Sequence, residues 1–205
     1  MTNSKKISTR KLVIIGMMSA VATVIYYLDF PIPFLLPSFI KLDFSNVISL
    51  LGGFAMGPLE GIIICLIKNL VHLVIKGFGT TYGIGDIFDF VTSAFFVLVS
   101  ATIYQRNKTK KGAIIATFVG MIGFTVISLP LNYFIVYPIY IKAFGGEAAV
   151  MGAYRELLPG IRNLFSALCI FNLPFTFVKG LLCSIITIIV YKPLSPVIKG
   201  AKNLT

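Results

Sequence analysis

Lys68, Asn69, His72 and Lys76 fall within nine residues at the end of an otherwise apolar stretch, FSNVISLLGGFAMGPLEGIIICLIKNLVHLVIK, from Phe44 to Lys76. Steps of four put Lys68, His72 and Lys76 on one helix face with Asn69 beside it. These side chains can hydrogen-bond and carry charge, but no nucleophile with a positioned base stands among them. The single histidine therefore reads as a hydrogen-bonded packing residue in preference to a proton relay. A lysine held at mid-bilayer costs about 2.5 to 3.5 kcal/mol, so Lys68 must face a bundle interior or water. Other isolated polar groups are Lys179 in the run FNLPFTFVKGLLCSIITIIVY, Thr176 three residues earlier, and Asn132 inside the aromatic LNYFIVYPIY. Apolar walls with a few convergent polar groups are what a small-molecule pocket needs. For Lys179, pairing with a structural acid stays open. Asp86 and Asp89, three apart, are the nearest thing to a carboxylate pair, and they are expected to cap a helix or to pair with Lys76 or Lys41.

The missing chemistry narrows the function further. There is no GxxxxGK[ST] phosphate loop, no HExxH and no GxSxG, so neither ATP hydrolysis by this chain alone nor hydrolase chemistry is supported. Cys65, Cys169 and Cys183 lack CxxC spacing and sit in apolar runs, as reduced, buried thiols do. One histidine and scattered cysteines give no metal site. A small membrane enzyme would need a cluster of carboxylates or histidines at one depth, and none is visible.

The elements that must position these groups are membrane spans. Of 205 residues, 57% are hydrophobic and 12% charged, against about 25% charged in soluble domains; the mean hydropathy is +0.94. At about 20 residues per crossing the chain holds roughly six spans and no separate soluble domain. The reading is an all-α integral membrane protein, a single domain over residues 1–205, with spans at 11–28, 46–56, 58–76, 86–105, 112–140 and 164–191 in a compact bundle. The net charge of +11 is distributed in clusters beside the spans and not over a nucleic-acid-binding surface. Lys5, Lys6, Arg10 and Lys11 precede the first span, Arg106 to Lys111 fill a linker, and Lys192, Lys199 and Lys202 follow the last. With an even number of crossings, the positive-inside rule places both termini in the cytoplasm. The basic start lacks a small-residue cleavage site, which favours a retained first helix over a signal peptide.

Along the chain, Gly16 and Ala20, then Ser19 and Thr23, repeat at four-residue spacing, a pattern that admits close helix approach in lipid. Asp29 to Lys41, DFPIPFLLPSFIK, has three prolines and must be an irregular apolar loop, a lid or plug over the bundle mouth or a segment in the interface. Asp43 or Ser45 is positioned to cap the short second span. Gly52-Gly53 implies a close helix contact, and Gly57-Pro58 turns the chain into the third span with Pro58 in its first turn. Gly77 to Gly85, GFGTTYGIG, is a glycine-rich turn that lets backbone approach closely, but with no preceding strand it is no dinucleotide fingerprint. The fifth span is too long for one straight crossing. Residues 144–163 form an external loop with a short helix, and Pro174 lies near the start of the sixth span or at a kink.

The run LKLDFSNV, then LLGGFAMGPLEGIIICLIKNLVH, the later LNYFIVYPIY and the closing PFTFVKG resemble the riboflavin-specific substrate-binding component of energy-coupling-factor vitamin transporters, over about residues 10–195 and in order. That resemblance implies a six-helix protein of the bacterial cytoplasmic membrane that captures riboflavin from outside as a transported ligand, without a cofactor of its own. It implies a partner module of two ATPase subunits and a transmembrane coupling subunit, docked on small residues of the first helix, here Gly16 and Ala20. It also implies that the flavin ring is held at Asn132, Thr176 and Lys179, with Leu42 and Phe44 at the lid entrance and Tyr82 and Gly83 near the ribityl chain. Departures from the pattern are Thr176 in place of an asparagine, and Asp86 and Asp89 where a glutamate and an asparagine are expected. The rival readings are the same transporter class with another vitamin or flavin, a membrane enzyme acting on lipid or prenyl groups, and an assembly subunit without a ligand.

Overall fold

The computed structural model describes residues 9–79 and 81–200, with side chains described as far as residue 191. Lys5, Lys6 and Lys202 lie outside the described residues, as do the side chains of Lys192 and Lys199. Nine α-helices occur among the described residues: α1 Thr9–Tyr27, α2 Asn46–Met56, α3 Pro58–Lys76, α4 Ile84–Arg106, α5 Lys110–Leu131, α6 Tyr137–Ala143, α7 Glu147–Leu157, α8 Leu164–Ala167 and α9 Leu173–Gly200. Five helical stretches are long and apolar enough to cross a membrane: α1, α3, α4, the continuous rod Lys110–Ala143 and the rod Leu164–Tyr191. The eleven-residue α2 rises only about 16 Å, short of a full crossing.

Small residues bring α2, α3 and α4 together. A Cβ on Gly61 would stand 2.9 Å from the Gly53 Cα and 2.5 Å from a Val97 methyl, so this three-helix contact exists only because both positions lack side chains. Gly57 turns the chain at φ +134°, a conformation closed to residues with a Cβ, and Pro58 occupies the first turn of α3, where its missing N–H costs nothing. Beneath this contact the inner core packs Leu50, Phe54, Phe96, Val97, Met121 and Phe124.

Both long rods loosen to a π-helical turn, at Asn132–Val136 and at Leu168–Asn172. Each turn is followed two residues later by a proline, Pro138 and Pro174. A proline cannot donate to the carbonyl four residues back, and a local change of register is how a helix absorbs the lost bond. The long fifth span is thereby explained as one rod with a π turn, and Pro174 as the cause of a second.

The two ends of the bundle differ. At one end Lys11 Nζ pairs with Glu60 at 2.5 Å, and Gln105 Nε2 reaches the carbonyls of Gly53 and Phe54; the basic 106–111 linker belongs to this end. At the other end lies a lid. Phe30–Pro31 (β1) pairs antiparallel with Lys41–Leu42 (β2), in the register Phe30 with Leu42, so the proline-rich segment is a closed hairpin with only four residues in strands. Its tip is apolar and open, with Phe34 84% exposed. Its root is anchored by Phe39, whose ring lies 5.5 Å from Tyr140 and 5.7 Å from Phe144.

Candidate ligand-binding site

Below the lid is a cavity of about 320 Å³, within the range for small-molecule sites. Its walls come from the lid root, the ends of α1 and α3, the turn after α3, the start of α4, the π turn and α6, and the start of α9. Asn132, Thr176, Lys179 and Gly83 all line it. Asn132 and Asn172, each within a π turn, and Thr176 one helical turn beyond Asn172 all face this cavity.

The polar groups in this cavity are of two kinds, bonded and free. Lys179 Nζ lies 2.6 Å from Asp43 Oδ2 and 3.4 Å from Asp89 Oδ1. Since an ammonium has three N–H donors, two are committed and one is left for the cavity. Asn132 and Thr176 are buried, yet neither side chain makes a hydrogen bond among the described residues. Both side chains line the cavity, so their hydrogen-bonding groups are open to a ligand.

Behind Lys179 stands the rest of a charge network. Lys68, with 0% of its surface exposed, pairs with Asp89 at 2.9 Å and donates to Ser45 Oγ at 2.6 Å and Asn46 Oδ1 at 2.8 Å. Ser45 Oγ in turn donates to Asp43 Oδ1 at 2.5 Å, and Asn69 Nδ2 donates to Asp89 at 3.2 Å. Two lysines and two aspartates thus form a neutral, hydrogen-bonded cluster that ties the lid root, α2, α3, α4 and α9 together. Burial alone would push the Asp43 carboxyl up, but the Lys179 and Lys68 ammonium groups outweigh it and hold this group well below the usual carboxylate range. A second pair, His72 Nδ1 to Asp86 Oδ1 at 2.5 Å, lies beside the Tyr26 ring, whose centroid is 4.1 Å from the imidazole. At the mouth, Asp29 bridges Lys41 at 2.8 Å and Lys76 at 3.6 Å.

Several expectations need correction against this geometry. Asp86 and Asp89 pair with neither Lys76 nor Lys41; those lysines are taken by Asp29, because the hairpin folds Lys41 back over the end of α1. Of the two expected caps for α2, Ser45 makes no side-chain cap, its hydroxyl being held by Lys68 and Asp43, whereas Asp43 Oδ1 accepts the Ser45 backbone N–H at 3.0 Å. Leu42 and Phe44 lie outside the cavity lining: Leu42 is buried, while Phe44 packs against the inner core. Tyr82 is 69% exposed, on the outer surface of its turn, with φ +53°. The small residues of α1 separate into two faces. Ser19 and Thr23 are buried, whereas Gly16 and Ala20 point away from the bundle, and nothing lies within 4 Å of where a Gly16 Cβ would be.

Sequence reasoning missed Asp43 as the lysine's main partner and missed the outer aromatic group. Tyr137, Tyr154 and Asn172 hydrogen-bond to one another, and Tyr137 and Asn172 line the cavity. The spacing of Tyr137, Tyr154 and Asn172 carries no periodic signal, because they come from three elements. The alternation of aromatic residues in LNYFIVYPIY was the visible trace.

The family model described as "ECF transporter, substrate-specific component" matches residues 10–191. The chain is 34% identical over 191 residues to a "Riboflavin transporter RibU" of Staphylococcus aureus (strain TCH60), covering 93% of both chains. It is 28% identical to a "Riboflavin transporter FmnP" of Bacillus subtilis (strain 168), over 95% of this chain and 96% of that one. Among solved structures, one described as "Structure and mechanism of the S component of a bacterial ECF transporter" superposes with a TM-score of 0.71 at 32% identity, covering 93% of this chain and 98% of that chain.

Proposed function

This chain belongs to the family of ECF transporter substrate-specific components, and from that premise we propose that it captures riboflavin at the outer face of the cell membrane and passes it to an ATP-driven energising module. It is a transport component and not an enzyme. The observation that carries the choice of ligand is the lidded cavity of about 320 Å³, which combines aromatic walls with the free Asn132 amide, the Thr176 hydroxyl and one uncommitted Lys179 N–H. A flavin has a flat tricyclic ring with carbonyl and imide groups along one edge. That edge takes hydrogen bonds from Asn132, Thr176 and Lys179, while rings of the fifth and last rods cover the faces. The ribityl chain extends toward Gly83 and the turn after α3. The hairpin rooted by Phe39 closes the mouth, with Leu42 and Phe44 seating it from below and Tyr82 outside.

In this reading the bundle crosses the membrane six times, α2 being a tilted or partly buried sixth span. The basic 106–111 linker lies at the end opposite the cavity, which supports an outward-facing site and cytoplasmic termini under the positive-inside rule. The exposed Gly16 and Ala20 give a flat strip for a partner helix, suited to the transmembrane coupling subunit of a module that also holds two ATPase subunits. Purification in detergent followed by absorption spectroscopy and riboflavin titration tests the assignment. A co-purified yellow chromophore and saturable quenching of riboflavin fluorescence are expected; the absence of both would overturn the ligand.

A further inference from the structure

We infer that Asn172 is a ligand-contacting, specificity-determining residue, and that Tyr154, which does not line the cavity, is the positioning residue that aims it. The inference rests on the riboflavin reading above and adds to it a donor outside the set Asn132, Thr176 and Lys179.

The argument is one of hydrogen-bond directions. Tyr154 donates its hydroxyl proton to Asn172 Oδ1 at 2.6 Å, and Asn172 Nδ2 donates to the Tyr137 hydroxyl oxygen at 2.8 Å. With the Tyr154 proton committed, the contact between the two phenols must run from Tyr137 to Tyr154. The three groups therefore form a closed ring in which each donates once and accepts once, the arrangement in which hydrogen bonds reinforce one another. The ring holds the Asn172 amide by both of its ends, the nitrogen on Tyr137 and the oxygen on Tyr154. An amide has two N–H donors and two lone pairs on oxygen. One donor and one lone pair are used, and the second N–H remains on a buried residue that lines the cavity.

Position and chemistry agree. Asn172 closes the π turn Leu168–Asn172 one helical turn before Thr176, and faces the same cavity as Asn132 on the other π turn. Thr176 can offer a hydroxyl but no amide; Asn172 supplies an oriented amide donor beside it. The spare N–H therefore donates to an acceptor on the flavin ring. Tyr154 comes from α7, outside the rods, so the loop helix between α6 and α8 contributes to recognition through this one hydroxyl.

The test is riboflavin and lumiflavin titration of the purified full chain, with unfolding temperature measured in parallel. Asn172→Asp lets both phenols, Tyr154 and Tyr137, donate to its two oxygens, so residue 172 stays tied to both at the expense of the Tyr137–Tyr154 bond, while the ligand-facing N–H is lost. The expected result is at least tenfold weaker binding of both riboflavin and the ring-only lumiflavin, from a chain that still unfolds cooperatively. Tyr154→Phe, which replaces no residue of the cavity wall but releases Asn172 Oδ1, is expected to weaken both flavins about threefold. Asn172→Asp binding as tightly as the unaltered chain would overturn the inference, as would loss confined to riboflavin, which would move the contact to the ribityl chain. Should Asn172→Asp fail to fold, unchanged affinity in Tyr154→Phe overturns it instead. Failure of the unaltered chain to bind either flavin refutes the riboflavin reading itself, a separate result from failure of the variants.

Discussion

Asp89→Asn makes the sharpest demand on the charge network. The substitution preserves shape and leaves an amide oxygen for Asn69, but removes one of two negative charges facing Lys68 and Lys179. Lys68 is then left with only neutral direct partners, Ser45, Asn46 and the remaining amide oxygen, wholly out of solvent. Breaking a buried pair by deleting one partner costs about 3 to 5 kcal/mol, whereas replacing both by apolar groups is often neutral. Asp89→Asn and Lys68→Met should each lower stability by about that amount, a shift on the order of 10 °C in unfolding temperature. The double variant should lose less than the sum of the two, with a coupling of at least about 2 kcal/mol, inside the range found for residues in contact. The assay is thermal or denaturant unfolding of the detergent-solubilised protein for the four members of the cycle. Strictly additive losses, or an unperturbed Asp89→Asn, would refute the idea that this cluster is one electrostatic unit.

Other outcomes follow from the same geometry. Thr176→Val removes a cavity hydroxyl that has no protein partner, so riboflavin affinity should fall about threefold with stability unchanged, roughly one neutral hydrogen bond; calorimetry and unfolding scans check both. Asp29→Asn frees Lys41 and Lys76 together, and because half-exposed pairs contribute at most about 1 kcal/mol each, stopped-flow quenching should show riboflavin leaving a few-fold faster with little change in unfolding temperature. The Asp43 carboxyl is held low in the folded state, so its contribution to stability is fully present above the unfolded value of about 3.9 and is lost only as pH falls below it. The stability assigned to Asp43 should accordingly be flat from pH 5 to 8, as a comparison with Asp43→Asn across that range would reveal.

Much of this architecture was legible because lipid imposes strong rules on sequence. The apolar lengths of α1, α3 and α4, the Gly57-Pro58 turn and the basic linker all announced themselves through length, proline chemistry and charge. Asn132, Thr176 and Lys179 stood out because an apolar run tolerates few polar residues without a reason. What stayed hidden is pairing between distant segments. Nothing in the spacing says that Lys179 would choose Asp43, 136 residues away, or that Lys41 would return to Asp29 through a hairpin. The π turns were equally hidden, since Pro138 and Pro174 signal a disturbed helix without saying which register the chain adopts. The split of α1 into a buried Ser19/Thr23 face and an open Gly16/Ala20 face required knowing which side α3 packs on.

The central claim, that riboflavin lies in the lidded cavity with its ring edge against the rod ends, is tested most directly at Asn132. Its amide holds no other part of the described protein, so a change there reports on the ligand alone. In a fluorescence-quenching titration of Asn132→Leu beside the unaltered chain, riboflavin affinity should fall at least tenfold while the unfolding temperature stays within a degree or two. Equal affinity in the two proteins would contradict the account and place the flavin elsewhere.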